Sequence, residues 1–229
     1  MEKGPLILLH GALADGSQME GFASLLRDHY DVHLITFEGH GSAGMAGEKF
    51  TLDNFVSQVV SFMNERGIAK ANFLGYSMGG YVALAVASRF PNMADRIVTL
   101  GTKLAWDRST AEKEVLNLNP VVLEAKVPLY SEKLKALHTA IGWIKVLQLT
   151  ADFMKSLGES PMREAEFAAI ESPVLILTGE KDKMVSAAES LVVAELIPNG
   201  RSTVLSGMPH PFEQVDENVL KDVVLDFLK

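Results

Sequence analysis

The chain has 229 residues, 48% hydrophobic and 22% charged, proportions that suit a globular protein with one sizeable core. With 21 Lys and Arg against 29 Asp and Glu, its formal net charge of −8 disfavours a nucleic-acid backbone or an anionic membrane as partner. The lack of cysteine excludes a disulfide framework, a thiolate-bound metal and a thiol nucleophile.

The N-terminal Met1-Glu2-Lys3-Gly4-Pro5 runs directly into Leu6-Ile7-Leu8-Leu9, which is too short for the apolar core of a signal peptide. No segment approaches the ~20 apolar residues that span a bilayer. A cytoplasmic protein is expected.

Short apolar runs then recur, each closed by a glycine-bearing turn. Leu6–Leu9 leads to His10-Gly11-Ala12, Val32–Phe37 to Gly39-His40-Gly41, and Ala71–Leu74 to Gly75-Tyr76-Ser77. Arg96–Leu100 leads to Gly101, Pro173–Leu177 to Gly179, and Ser202–Leu205 to Gly207. Such runs predict strands buried on both faces, as a parallel sheet requires. Between them, Leu52, Phe55, Val56, Val59, Val60 and Met63 recur at helical spacing, with Thr51 or Asp53 as candidate caps. Tyr81–Phe90 reads as an alanine-rich helix, and Val219, Val223, Val224, Phe227 and Leu228 mark a closing one.

The interval from about Lys103 to Ile170 has no convincing strand. Its helical patterns are Val115–Leu118, Val121–Val127, Leu129–Thr139 and Trp143–Leu157, punctuated by prolines and glycines. The expected architecture is an α/β, doubly wound, mostly parallel sheet of about six strands with helices on both faces. Residues 1–102 and 171–229 form its core, and residues 103–170 are an inserted helical cap at the strands' C-terminal edge, where open sheets bind ligands.

Gly75-Tyr76-Ser77-Met78-Gly79 is a G-x-S-x-G pentapeptide between a strand end and a helix start. That setting suits a sharp turn exposing a serine hydroxyl, with small residues on either side where the chain crowds itself. A serine hydroxyl needs a base. Of the six histidines, His210 follows the last strand and its turn, at the same sheet edge as Ser77. His29 and His33 flank the second strand as surface or ordinary core residues, and His10 and His40 suit structural hydrogen bonding in turns. His138, in the inserted segment, reads as solvated helix surface, with contact to substrate as the alternative. The base in turn needs a carboxylate, and Asp182 after the fifth strand is the candidate, with Glu180 and Asp107 as rivals. The order Ser, Asp, His is the one expected when the serine sits on such an elbow.

These landmarks together resemble the α/β-hydrolase superfamily, in its compact esterase-like branch with a helical cap. They are His10-Gly11, Gly39-His40-Gly41, the Ser77 elbow, Gly179 to Asp182, and Gly207-Met208-Pro209-His210. The resemblance implies an oxyanion hole from the backbone N–H groups of Met78 and Ala12, with Leu13 as an alternative second donor. It implies no cofactor and no metal. The family commonly has one or two strands before the His-Gly strand, so a shortened sheet of six is expected here. Its usual Asp-x-Pro before Gly-His-Gly is Thr36-Phe37-Glu38, and its Gly-x-Gly-His is Gly207-Met208-Pro209-His210.

A serine at the elbow argues against the branches that use a carboxylate nucleophile. Hydrolysis of a small carboxylic ester, or a related small-molecule acyl substrate, is the main expectation. Thioester or carbon–carbon hydrolysis, lyase chemistry, a non-catalytic receptor, and a cofactor-free oxygenase or perhydrolase are the alternatives. Leu13, Trp143, Leu147 and Met154 are candidate pocket residues, while Lys103 and Arg108 are the cations near the start of the insertion. The sequence specifies no oligomeric interface.

Overall fold

Alternation along the first strand decides the layering. The computed structural model describes residues 3–229, so Met1 and Glu2 lie outside the described residues. Strand β1 (Pro5–Leu9) sends Leu6 and Leu8 into one core and Ile7 and Leu9 into another, and all four are buried. A strand with period-two side chains does this only when both sheet faces are covered.

The chain continues through a 3-10 turn at Gly16–Met19, then α1 (Glu20–Leu26), β2 (Asp31–Ile35), α2 (Leu52–Glu65) and β3 (Ala71–Tyr76). Next come α3 (Met78–Arg89) and β4 (Ala94–Leu100). The interval before the next strand carries α4 (Arg108–Val115), α5 (Pro120–Lys126), α6 (Pro128–Leu137), α7 (Trp143–Glu159) and α8 (Glu164–Ala168). The chain closes with β5 (Val174–Gly179), α9 (Ala187–Leu196), β6 (Gly200–Leu205) and α10 (Glu217–Phe227).

The six strands form one sheet in the order β2-β1-β3-β4-β5-β6. Every neighbouring pair is parallel. Helices α1 and α10 cover Leu6, Leu8, Leu74, Val98 and Leu175 through Phe22, Leu26, Leu220 and Val224. On the other face, α2 and α3 cover Ile7, Leu9, Phe73 and Ile97 through Phe55, Val59, Val82 and Val86. The sheet is therefore doubly wound. From β1 the chain steps outward to β2, then returns to place β3 on β1's other side. This reversal brings the loops after β1 and β3 together at the sheet's C-terminal edge, where a crevice opens.

Several local details differ from the expectations. The edge strands β2 and β6 are not buried on both faces; Val204 is 47% exposed. An outermost strand has a neighbour on one side only, and the flanking helices centre on the middle strands. Strand β2 stops at Ile35 because the Phe37 N–H turns to the His10 ring, at 3.0 Å from Nε2. Thr51, not Asp53, caps α2 by accepting the Asn54 N–H at 3.1 Å. In α10 the buried residues are Leu220 and Val224, while Val219 faces outward. Helix α9 has no clean apolar stripe, since Leu191 and Val192 are exposed, so periodicity gave no signal for it.

Candidate active site

The turn at Ser77 is built by steric necessity. Ser77 sits between β3 and α3 at φ 49° and ψ −116°, in the positive-φ half of backbone space that non-glycine residues seldom visit. A Cβ on Gly75 would lie 2.4 Å from the Gly80 backbone, and one on Gly79 would lie 2.1 Å from the Leu9 carbonyl oxygen. Only glycine fits at either position. The strained residue is held on all sides: its N–H donates to the Leu100 carbonyl at 2.8 Å. Its own carbonyl accepts the Gly80 N–H at 3.0 Å and the Thr102 hydroxyl at 3.1 Å.

The end of β4 joins Ser77 to the other two candidates. A Cβ on Gly101, next to Leu100, would lie 3.3 Å from both His210 Nδ1 and Asp182 Oδ2. Those two atoms are themselves 2.7 Å apart, with the Asp182 side chain 1% exposed and the His210 ring 20% exposed. The other Asp182 oxygen accepts the Met184 and Val185 N–H groups at 2.8 and 2.9 Å. Burial works to raise the Asp182 pKa, but the hydrogen bond from His210 and those N–H groups outweigh it, leaving the carboxyl below its ordinary value. The Tyr76 hydroxyl donates to the His210 carbonyl at 2.9 Å, tying the His210 loop to the residue before Ser77.

The rival carboxylates are engaged elsewhere. Glu180 accepts the Ser206 hydroxyl and the Gly207 N–H at 2.9 and 2.7 Å. Asp107 caps α4 through the Thr110 N–H at 2.6 Å.

Ala12 and Met78 both lie on the wall of the cavity beside Ser77. Met78 is the first residue of α3, where an N–H has no partner within the helix. Leu13 is the second non-glycine residue at positive φ, 62°. Three histidines support this loop. His10 accepts the Phe37 N–H and donates to the Gly11 carbonyl at 2.7 Å, and His40 donates to the Glu38 carbonyl at 3.1 Å. Burial lowers His10 to about 4; burial, with the charge of His10, lowers His40 to about 3. His138 is not solvated helix surface as expected: it is buried and bridges Leu13 to Gly41. His33 pairs with Asp31 at 3.0 Å at the sheet edge.

The cavity spans about 480 Å³, part of it open to solvent. Ser77, Met78, Ala12 and Tyr81 form one side, and Thr150, Phe153, Met154 and Leu157 of α7 form another. Lys103, Trp106, Glu114 and Met184 complete it. Of the four pocket residues expected, Met154 faces this space; Leu13, Trp143 and Leu147 are not part of its wall. Leu147 is spent on the core instead, and Trp143 packs against that core. Arg108 pairs with Glu159 at 3.8 Å on the outside. Sequence reasoning missed Tyr81, Trp106, Glu114, Thr150 and Met184 as wall residues, because spacing marks neither which turn of a helix meets a crevice (Tyr81, Glu114, Thr150) nor where a loop folds back to it (Trp106, Met184). Among the described residues, no group of three or more His, Asp or Glu could hold a metal ion. Among them, too, no helix is long and apolar enough to cross a membrane.

Residues 4–140 match the model of a protein family described as alpha/beta hydrolase fold. A pimeloyl-acyl-carrier protein methyl ester esterase of Aliivibrio fischeri is 25% identical, over 97% of this chain and 93% of that protein. A 3-oxoadipate enol-lactonase of Acinetobacter baylyi is 24% identical, over 97% of this chain and 91% of that protein. Among solved structures, NosK from Streptomyces actuosus superposes with a TM-score of 0.85 at 21% identity, covering 99% of this chain and 97% of its own. That likeness speaks to the fold.

Proposed function

This chain belongs to the alpha/beta hydrolase fold family, and on that premise we propose that it is a serine hydrolase cleaving a small carboxylic ester through an acyl-enzyme intermediate. The observation carrying the reading is the 2.7 Å contact between His210 Nδ1 and Asp182 Oδ2, beside the turn that holds Ser77. Two relatives named esterase and lactonase support the reaction class, since a lactone is a cyclic ester.

With Nδ1–H donated to a carboxylate, His210 Nε2 carries the free lone pair and serves as base. The Ser77 Oγ attacks the ester carbonyl carbon and its proton passes to Nε2. The carbonyl oxygen becomes an oxyanion, received by the N–H groups of Met78 and Ala12. As the intermediate collapses, the carbon–oxygen bond to the alcohol breaks and His210 gives that alcohol the proton. Water then attacks the acyl-enzyme, His210 takes its proton, and the second collapse releases the carboxylic acid and returns the proton to Ser77. The low pKa of Asp182 keeps it ionised to stabilise the imidazolium in both steps. In this reading residues 103–170 are the cap and the cavity beneath α4 and α7 receives the substrate; no cofactor takes part.

A fluorophosphonate probe followed by peptide mass spectrometry tests the proposal. The label is expected on Ser77, in protein that also hydrolyses p-nitrophenyl acetate. Folded protein that neither labels at Ser77 nor turns over the ester overturns it.

A further inference from the structure

The cavity wall is apolar along Phe153, Met154 and Leu157, yet two polar groups on it lack partners. Thr150 is 1% exposed and its Oγ1 has no hydrogen-bond partner. Glu114 is 8% exposed; among the described residues its carboxylate enters no ion pair or hydrogen bond, and its oxygens stay open to solvent. They belong to α7 and α4, which pack against each other.

The cavity's cation does not answer them. Lys103 Nζ donates to the Met184 carbonyl at 3.0 Å and lies 3.7 Å from Glu189 Oε2, so its charge is already opposed. Arg108 and Lys155 pair with Glu159 and Asp152 and are not on the wall. A buried hydroxyl oxygen without a donor is costly to leave alone, and an unpaired carboxylate beside apolar side chains attracts a cation; a group that brings positive charge and several N–H donors answers both.

We propose that this wall is a subsite for an alkylammonium group, so that the preferred substrate carries a primary amine in its cationic form. This rests on the reading above only in taking the cavity beside Ser77 as the substrate's place. Glu114 supplies the charge and Thr150 a second acceptor, while the apolar residues around them take the alkyl chain. The hydrophobic side chains also thin the water that would otherwise weaken the attraction.

Binding, not turnover, tests the proposal. Trp143→Phe leaves Trp106, on the cavity wall, as the single tryptophan, and its fluorescence reads occupancy. At neutral pH, n-butylammonium is expected to bind roughly tenfold or more tighter than 1-butanol or butyrate. Glu114→Gln is expected to erase that preference, and Thr150→Val to weaken ammonium binding several-fold. Butyrate or butanol binding as tightly as the ammonium in this reporter protein overturns the proposal, as does a preference that survives Glu114→Gln. The probe ranking needs no cavity variant to fold, and repeating it with Ser77→Ala separates the two readings. Ammonium preference without fluorophosphonate labelling overturns the hydrolase alone, and labelling without the preference overturns the subsite alone.

Discussion

His138 reaches from the C-terminus of α6 to the loop after β1, where its Nε2 donates to the Leu13 carbonyl at 3.1 Å. Its Nδ1 accepts the Gly41 N–H at 3.0 Å, so one neutral imidazole joins three chain segments. Leu13 follows Ala12, and its positive φ is a conformation that a leucine keeps only under outside restraint. His138 is thus a positioning residue for the proposed oxyanion loop. His138→Ala is expected to lower kcat roughly 10–100-fold, short of losing a whole donor, with little change in KM. His138→Gln, which keeps an N–H donor for Leu13, should recover part of the loss. Steady-state kinetics on p-nitrophenyl acetate decide this; an effect on KM alone would contradict it.

The engaged state of the neighbouring carboxylates predicts unequal effects. Asp182→Asn should cut kcat by about 10⁴-fold, because the amide no longer holds His210 in the tautomer that bares Nε2. Glu180→Gln should stay within a few-fold of the parent, since Glu180 serves the Ser206–Gly207 turn. If the two substitutions exchange these phenotypes, the assignment of the acid is wrong.

Acid should destabilise the protein through its buried histidines. His10 and His40 bind protons only near pH 4 and 3 when folded, against about 6.5 when unfolded. Between those values the unfolded chain holds more protons, so stability is complete above about pH 6.5 and is lost as pH falls towards 4 and 3. His10 alone accounts for roughly 3 kcal/mol of that loss. Urea unfolding at pH 7.5 and 4.5 measures it, and ring resonances of both residues should not titrate between pH 8 and 5.

The crowding behind Ser77 sets a fourth expectation. Gly75→Ala drives a methyl group to 2.4 Å from the Gly80 backbone, which belongs to α3 and cannot rotate away. A loss of more than about 3 kcal/mol is expected, read as a fall in the urea midpoint or as insoluble protein. An unchanged midpoint would contradict the packing described for the elbow.

Much of this organisation was legible from residue order. Strand–turn–helix context alone marks Ser77, and the six apolar runs correspond to the six strands. The edge strands, α9 and His138 were misread or missed for one reason: burial depends on what lies opposite, not on the residue's own neighbours. Glu180 and Asp182 are two residues apart and chemically alike. What separates them is that the Met184 and Val185 N–H groups and His210 meet Asp182, while Gly207 meets Glu180.

By itself, then, the sequence determined the doubly wound sheet and the position of the serine elbow, because strand periodicity and glycine spacing act over a few residues. The tertiary structure alone decided which carboxylate faces His210, which residues between β4 and β5 line the cavity, and that His138 is a buried brace. Those outcomes join residues 28 to 125 positions apart, such as Asp182 with His210 and Leu13 with His138. Strand register and helix packing bring such pairs together, and no local pattern records either.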